Sequence, residues 1–276
     1  MTAPHLAALD PVLDGAPGTI SAYVGPLSGS PAYTRLSDEP HYAASTMKAA
    51  VLAAAYRLAD ADGLTLDEEL AIHDEFASAA PGGGRFAMRH GYDNDDEVWA
   101  KLGGTAPLGW LLRRMIVRSS NLATNLVLER VGTPAVAHAL ADAGATVMVV
   151  GRGIEDAAAE QAGRTNRVTA ADLARLLAAV ADRRIASRAS CDAMMGILLA
   201  QECTEDLAAG LPPGTRIAHK NGWVDGVRHG AGVVLPDDAP PYAIAVCTTT
   251  ELSDDAACRL VADVSAAAWA DRHDLT

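Results

Sequence analysis

Aromatic side chains are scarce in this chain, at 4% of 276 residues, with only two phenylalanines. A core therefore has to be built mainly from Ala, Leu and Val. Half of the residues are hydrophobic, enough for one large domain or two lobes with a shared core. Lysine is scarcer still: only Lys48, Lys101 and Lys220 stand against nineteen arginines. The formal charge is -13, which argues against nucleic acid and anionic membrane as partners, because both reward basic surface. No run approaches the roughly 18 apolar residues that span a bilayer. Met1-Thr2-Ala3-Pro4-His5 has no basic stretch leading into an apolar one, so no secretory signal is read and a cytoplasmic location is expected. The four cysteines (Cys191, Cys203, Cys247, Cys258) contain no C-x-x-C and read as buried thiols of a reducing compartment. The eight histidines contain neither H-x-H nor H-E-x-x-H, so no metal and no cofactor are expected. G-x-S-x-G is also missing, which removes the usual α/β-hydrolase elbow.

What is present falls into blocks. Gly18 to Val24 is strand-like, with Pro31 to Leu36 as its hairpin partner. Ala44 to Ala59 has no Gly or Pro and reads as a long buried helix, with Ser45 as its N-cap or first-turn residue. Pro107 to Val117, Ser120 to Val131, Pro134 to Ala143, Thr169 to Ala181 and Arg188 to Gln201 read as helices. Thr215 to Lys220, Gly230 to Leu235 and Tyr242 to Thr249 read as strands. Ser253 to Arg272 closes as an amphipathic helix capped by Ser253, with Asp254 and Asp255 in its first turn. This order predicts an α/β lobe made from both ends (1–61 and 211–276), with a helical lobe (62–210) inserted and a cleft where they meet.

Two of the three lysines sit in patterns that chemistry can use. A guanidinium stays charged near neutral pH, whereas a buried ammonium can lose its proton. A coding bias toward Arg accounts for the ratio but not for the placement. In Ser45-Thr46-Met47-Lys48 the two end residues stand one helical turn apart, so Lys48 is placed to activate Ser45. Ser119-Ser120-Asn121 lies between two helices, where it is either a plain helix cap or a hydroxyl and an amide facing a cleft. Lys220-Asn221-Gly222 closes a strand, as an ordinary strand end or as a cation beside a glycine that lets a ligand approach.

In this order the three segments resemble the S-x-x-K, S-D-N and K-T-G set of the β-lactamase and penicillin-binding protein superfamily, nearest its class A-like serine hydrolases. The likeness extends through Ser119-Ser120-Asn121-Leu122-Ala123-Thr124-Asn125-Leu126 and Lys220-Asn221-Gly222-Trp223-Val224-Asp225-Gly226-Val227-Arg228-His229. It implies a single two-lobed α/β (α+β) domain, with an antiparallel sheet flanked by helices and the inserted helical lobe. It implies Ser45 as acylated nucleophile, Lys48 as general base, Ser119 as proton shuttle and Lys220 as anchoring charge. Asn121 would hold a substrate amide, alongside Asn221 and Gly222. The N–H groups of Ser45 and Trp223 would form an oxyanion hole. Arg228 is expected as a carboxylate clamp, or else as a surface strand arginine.

Two departures bear on substrate. Ser120 and Asn221 replace the family's Asp and Thr, and E-x-x-x-N, which positions a deacylating water, is missing. Glu155, Asp156 and Glu160 remain as candidate water-activating carboxylates. The segment from His73 to Asp96 lies outside the resemblance and reads as an inserted loop. Its acidic cluster lacks EF-hand spacing and is expected to be a solvated turn or cleft rim. The leading expectation is a serine acyl-transfer hydrolase of small amides or esters, β-lactamase-like. The alternatives are an intracellular transacylase, esterase or amidase of secondary metabolism with weak β-lactamase activity, a D,D-peptidase, and a catalytically idle ligand-binding relative.

Overall fold

Helix starts are set by short polar side chains. The hydroxyls of Ser120, Thr169, Ser187 and Ser253 accept from the amides three residues on, at Ala123, Asp172, Ser190 and Ala256. The computed structural model describes residues 3–275. Helices Pro4–Ala7 (α1) and Asp10–Gly15 (α2) lead into strands Thr19–Pro26 (β1), Tyr33–Arg35 (β2) and His41–Tyr42 (β3). A 3-10 turn, Ala44–Met47, then runs directly into Lys48–Asp60 (α3). Strands Glu69–Ala71 (β4), Glu75–Ala77 (β5) and Arg85–Ala87 (β6) precede a single-turn helix, Asp96–Trp99 (α4), and strand Thr105–Pro107 (β7). Next come Leu108–Val117 (α5), Asn121–Val131 (α6), Thr133–Asp142 (α7), Val149–Val150 (β8), Ala157–Gln161 (α8) and Asn166–Val168 (β9). Ala170–Ala181 (α9) and Arg188–Leu199 (α10) precede Arg216–Val224 (β10), Val227–Leu235 (β11), Tyr242–Thr249 (β12) and Asp254–Ala270 (α11).

Five strands form one antiparallel sheet in the order β10-β11-β12-β1-β2. Both chain ends thus contribute to it, and β1 pairs along its length with β12. Side chains alternate between two cores, as the pleat requires. Ile20, Val24, Ile244 and Val246 pack with Leu260, Val261 and Val264 of α11. Tyr23, Ala243, Ala245 and Cys247 pack on the other face with α3 and α9. Cover on both faces explains why Tyr242 to Thr249 is apolar rather than alternating. Helix α3 is buried all round, from Lys48 to Tyr56, and its alanines let neighbours approach closely.

Three expectations change. Lys220-Asn221-Gly222 does not close a strand; β10 continues to Val224 and returns at Val227 through Asp225-Gly226, with Gly226 at φ +76°. The block between 62 and 210 is interrupted by paired strands, β4 with β7 and β5 with β6. The last pair makes the segment after His73 a hairpin rather than an open loop.

Two buried histidines fasten β3 to the sheet. His41 bonds Ser21 Oγ and Thr249 Oγ1, each at 2.8 Å. His229 Nδ1 accepts from Thr248 N at 3.0 Å, so its Nε2–H donates to Tyr42 O at 2.8 Å. Burial lowers the pKa of both, and of His219, to about 4. Below pH 6.5 the unfolded chain takes up protons that the folded rings refuse until about pH 4. Stability is therefore expected to fall as pH drops through that window, by up to about 1.4 kcal/mol per pH unit for each ring. Urea midpoints at pH 7, 6, 5 and 4.5 test this; a flat series contradicts it.

Candidate active site

Ser45 sits in the 3-10 turn ahead of α3, partly exposed, at the wall of a cleft of about 470 Å³. The turn is entered through Ala44 at φ +44°, a left-handed conformation that costs a non-glycine residue about 1–2 kcal/mol. Strand β10 passes directly over the turn. A Cβ on Gly222 would lie 2.7 Å from Ser45 N and 2.8 Å from Thr46 N, so only glycine lets the strand approach. Thr46 N donates to Ala43 O at 3.2 Å, whereas no described residue accepts from the Ser45 N–H. That amide is available to a developing oxyanion.

Lys48 is fully buried behind Ser45. Its Nζ lies 2.7 Å from Ser119 O, 2.8 Å from Asn121 Oδ1 and 3.2 Å from Ser119 Oγ. Burial pushes its pKa well below the usual lysine value, and the Lys220 cation pushes it the same way. A neutral amine has two N–H groups and one lone pair. The two oxygens that can only accept, Ser119 O and Asn121 Oδ1, take the N–H groups, and the lone pair is left for a hydroxyl. The Ser45 hydroxyl bonds to no described residue, and its carbonyl accepts from the Lys48 backbone N–H, so the resting ammonium or amine of Lys48 is held by the Ser119 loop and not by the serine hydroxyl.

The Ser119 loop is a helix start and a site at once. Ser120 is a plain cap on α6. Ser119 adopts φ +56°, which turns its oxygens toward Lys48. The residue that anchors this loop gave no signal in the sequence. Asp93, expected on a solvated rim, accepts from Asn121 N at 2.9 Å, Leu122 N at 2.7 Å and Trp99 Nε1 at 2.9 Å. A carboxylate at this helix start arrives from another segment, next to a Ser120 that lacks one. Asp95 pairs with Arg114 and Asp96 with His90, so the acidic cluster is occupied with protein partners. Asn121 lines the cleft and donates one N–H to Tyr92 O at 2.7 Å, which leaves its second N–H free to bond a ligand.

Lys220 is also fully buried, with Nζ 2.9 Å from Asn221 O and 3.3 Å from Asn221 Oδ1. Burial lowers its pKa to about 8. Arg228 is buried next to Asp206 and so is not a surface strand residue.

The three carboxylate candidates separate. Asp156 is buried, caps α8 and accepts from Ser78 Oγ and Ala79 N, each at 2.7 Å, so it is a structural anchor. Glu155 and Glu160 line the cleft, but each is paired, Glu155 with Arg89 at 2.9 Å and Glu160 with Arg152 at 2.7 Å. Neither hydrogen-bonds Ser45. Beside them Ile154 forms part of the cleft wall, and Asn125 grips its backbone: Nδ2 bonds Ile154 O at 2.9 Å and Oδ1 accepts from Ile154 N at 2.8 Å. Asn166 fixes the same loop through Gly151 N and Arg152 N. Sequence reasoning missed Ile154, an apolar residue directly before the carboxylates it considered.

Residues 6–271 match the model of a family described as "Beta-lactamase enzyme family". No curated protein matches the chain. The structure of PBP-A superposes with a TM-score of 0.81 at 24% identity, covering 97% of this chain and 95% of that one. A beta-lactamase from Sphaerobacter thermophilus superposes at 0.82 with 25% identity, covering 98% of each. A mutant of PBP-A, described as an acyl-enzyme complex with penicillin-G, superposes at 0.79 with 24% identity, over 97% of this chain and 95% of that one.

The packing of Gly222 on Ser45 gives a first test. Gly222→Ala is expected to keep the fold and slow acylation of Ser45 by about 100-fold, because the added methyl displaces the oxyanion donor. Rapid-quench rates with circular dichroism as control measure this; unchanged rates contradict it. The acylation rate is also expected to be bell-shaped in pH. It rises as Lys48 becomes neutral and falls as Lys220 loses its charge near pH 8. A rate that is flat from pH 7 to 10 would remove Lys220 from its charged role.

Proposed function

We propose that this chain, a serine hydrolase that belongs to the beta-lactamase enzyme family, transfers acyl groups from small amides or esters through an acyl-enzyme on Ser45. Ser45 Oγ attacks the substrate carbonyl, a C–O bond forms and the serine proton passes to Lys48. The bond to the leaving nitrogen or oxygen then breaks, and the proton reaches that atom by way of Ser119. The Ser45 N–H holds the oxyanion and Asn121 holds the acyl amide. Release requires an acceptor whose own proton returns along the same path. The observation that carries this reading is the bond set of Lys48, a desolvated amine held by Ser119 and Asn121 directly behind a cleft serine.

Ile154 decides the fate of the acyl-enzyme. The loop that faces Ser45 presents an alkyl side chain, and both nearby glutamates are tied to arginines. Water therefore has no free carboxylate base beside the ester. A penicilloyl-enzyme is expected to persist, and the natural turnover to favour an amine or alcohol acceptor.

Intact mass spectrometry with benzylpenicillin tests it. The expected result is a stable adduct on Ser45 that is absent in Ser45→Ala. Ile154→Glu is expected to shorten the adduct's lifetime by about 100-fold, by placing a base next to the ester. Rapid penicillin loss with no adduct in the wild-type protein would instead establish efficient hydrolysis, and no reaction at all would sink the acylation reading.

A further inference from the structure

The side-chain amide of Asn121 has two ends, and only its oxygen can accept from an amine. That oxygen faces Lys48, with Oδ1 2.8 Å from Nζ. The turn of the amide is fixed from the far side by Tyr92, whose O accepts from Asn121 Nδ2 at 2.7 Å. The next residue, Asp93, takes the backbone of the same helix start. Its Oδ1 accepts from Asn121 N at 2.9 Å and its Oδ2 from Leu122 N at 2.7 Å. Two more donors hold the carboxylate itself, Asn94 N at 2.7 Å from Oδ1 and Trp99 Nε1 at 2.9 Å from Oδ2. Ser120 Oγ adds a longer contact to Oδ2, at 3.3 Å.

We propose that Asp93 is a positioning residue for the acylation of Ser45, supplying from a neighbouring segment the carboxylate that Ser120 lacks. The inference rests on the acyl-transfer reading above. Among the described residues no hydrogen bond joins Asp93 to Ser45 or Lys48, so it acts through Asn121 and through its charge. Asn121 N and Leu122 N belong to the first turn of α6, where helix geometry provides no acceptor. Both oxygens of Asp93 accept, and an amide in its place would turn an N–H toward other donors. Asn121 would then lose its backbone anchor, and with it the alignment of Oδ1 on Lys48.

The charge of Asp93 bears on the same lysine. Burial lowers the Lys48 pKa first and the Lys220 cation next, and Asp93 acts against both. A Cys203 thiolate would do the same, but burial raises the Cys203 pKa and keeps it a thiol. Asp93 is therefore the anion that preserves some proton affinity in Lys48. A base with too little affinity cannot take the proton from Ser45. The departure at Ser120 thus moves the carboxylate of the motif to another segment and does not remove it.

Acylation of Ser45 by benzylpenicillin, followed by quenched mass spectrometry between about pH 5.5 and 9, tests this. The rate rises with pH as Lys48 becomes neutral, so a lower Lys48 pKa moves the rise to lower pH. Asp93→Asn is expected to slow acylation about 100-fold and to move the rise down by about half a pH unit or more. Asp93→Glu keeps the charge and misplaces its oxygens; it is expected to slow acylation at least about tenfold with the rise unmoved. Adding Ser120→Asp to the Asp93→Asn protein is expected to recover about tenfold in rate and to bring the rise back. A rise that stays in place in Asp93→Asn overturns the proposal, because a purely structural loss lowers the rate without moving it. A second substitution that recovers nothing also overturns it. The pH of the rise is read within one protein, so a partly unfolded variant does not distort it. No adduct on the wild-type protein would refute the acyl-transfer reading itself, a result distinct from adducts whose pH profile ignores residue 93.

Discussion

Two ammonium groups share one dry interior, and much of the site's arrangement stems from that constraint. Lys48 and Lys220 are both fully buried, and the Lys220 cation disfavours a charge on Lys48. Removing both from water while both are charged is too costly, so one yields its proton. Lys48 yields, because burial and then the Lys220 cation lower its pKa well below the usual value, whereas burial of Lys220 is offset in part by Asp206, and its pKa falls only to about 8. The asymmetry gives the proposed base and the fixed charge different protonation tendencies without a histidine among their cited partners. It also explains the partners around Lys48, which are oxygens that suit an amine and do not demand an ammonium.

The chemistry-bearing residues were legible in the sequence to the extent that they are local. Ser45 and Lys48 lie one turn apart, and the cap at Ser120 announces the helix that positions Ser119 and Asn121. What the sequence hid are partners supplied from a distance. Asp93 reaches the start of α6 from a segment that reads as solvated, because its value depends on two backbone amides that only the fold brings near. Asp206 is likewise defined by Arg228 on another strand. The Asp225-Gly226 turn was a local signal for a tight hairpin, and it corrects where β10 ends.

Ile154 shows a third kind of legibility. The missing E-x-x-x-N was visible, but not which residue stood in its place. Nearby carboxylates drew attention by their chemistry, and the fold assigns them to caps and ion pairs. The position is identified by Asn125, whose side chain takes both backbone groups of Ile154. A side-chain amide that copies a strand partner fixes a loop as firmly as a strand would.

The pairing of β1 with β12, and the seating of Gly222 against Ser45, join early and late parts of the chain. Such contacts form only after a long loop has closed, so they come late in folding. A chain emerging from the ribosome presents Ser45 and Lys48 long before β10 exists. Until that strand arrives, the oxyanion site is open and Lys48 has no neighbouring cation to lower its pKa. The proposed nucleophile and its proposed base therefore gain their full surroundings only when both ends of the chain have met.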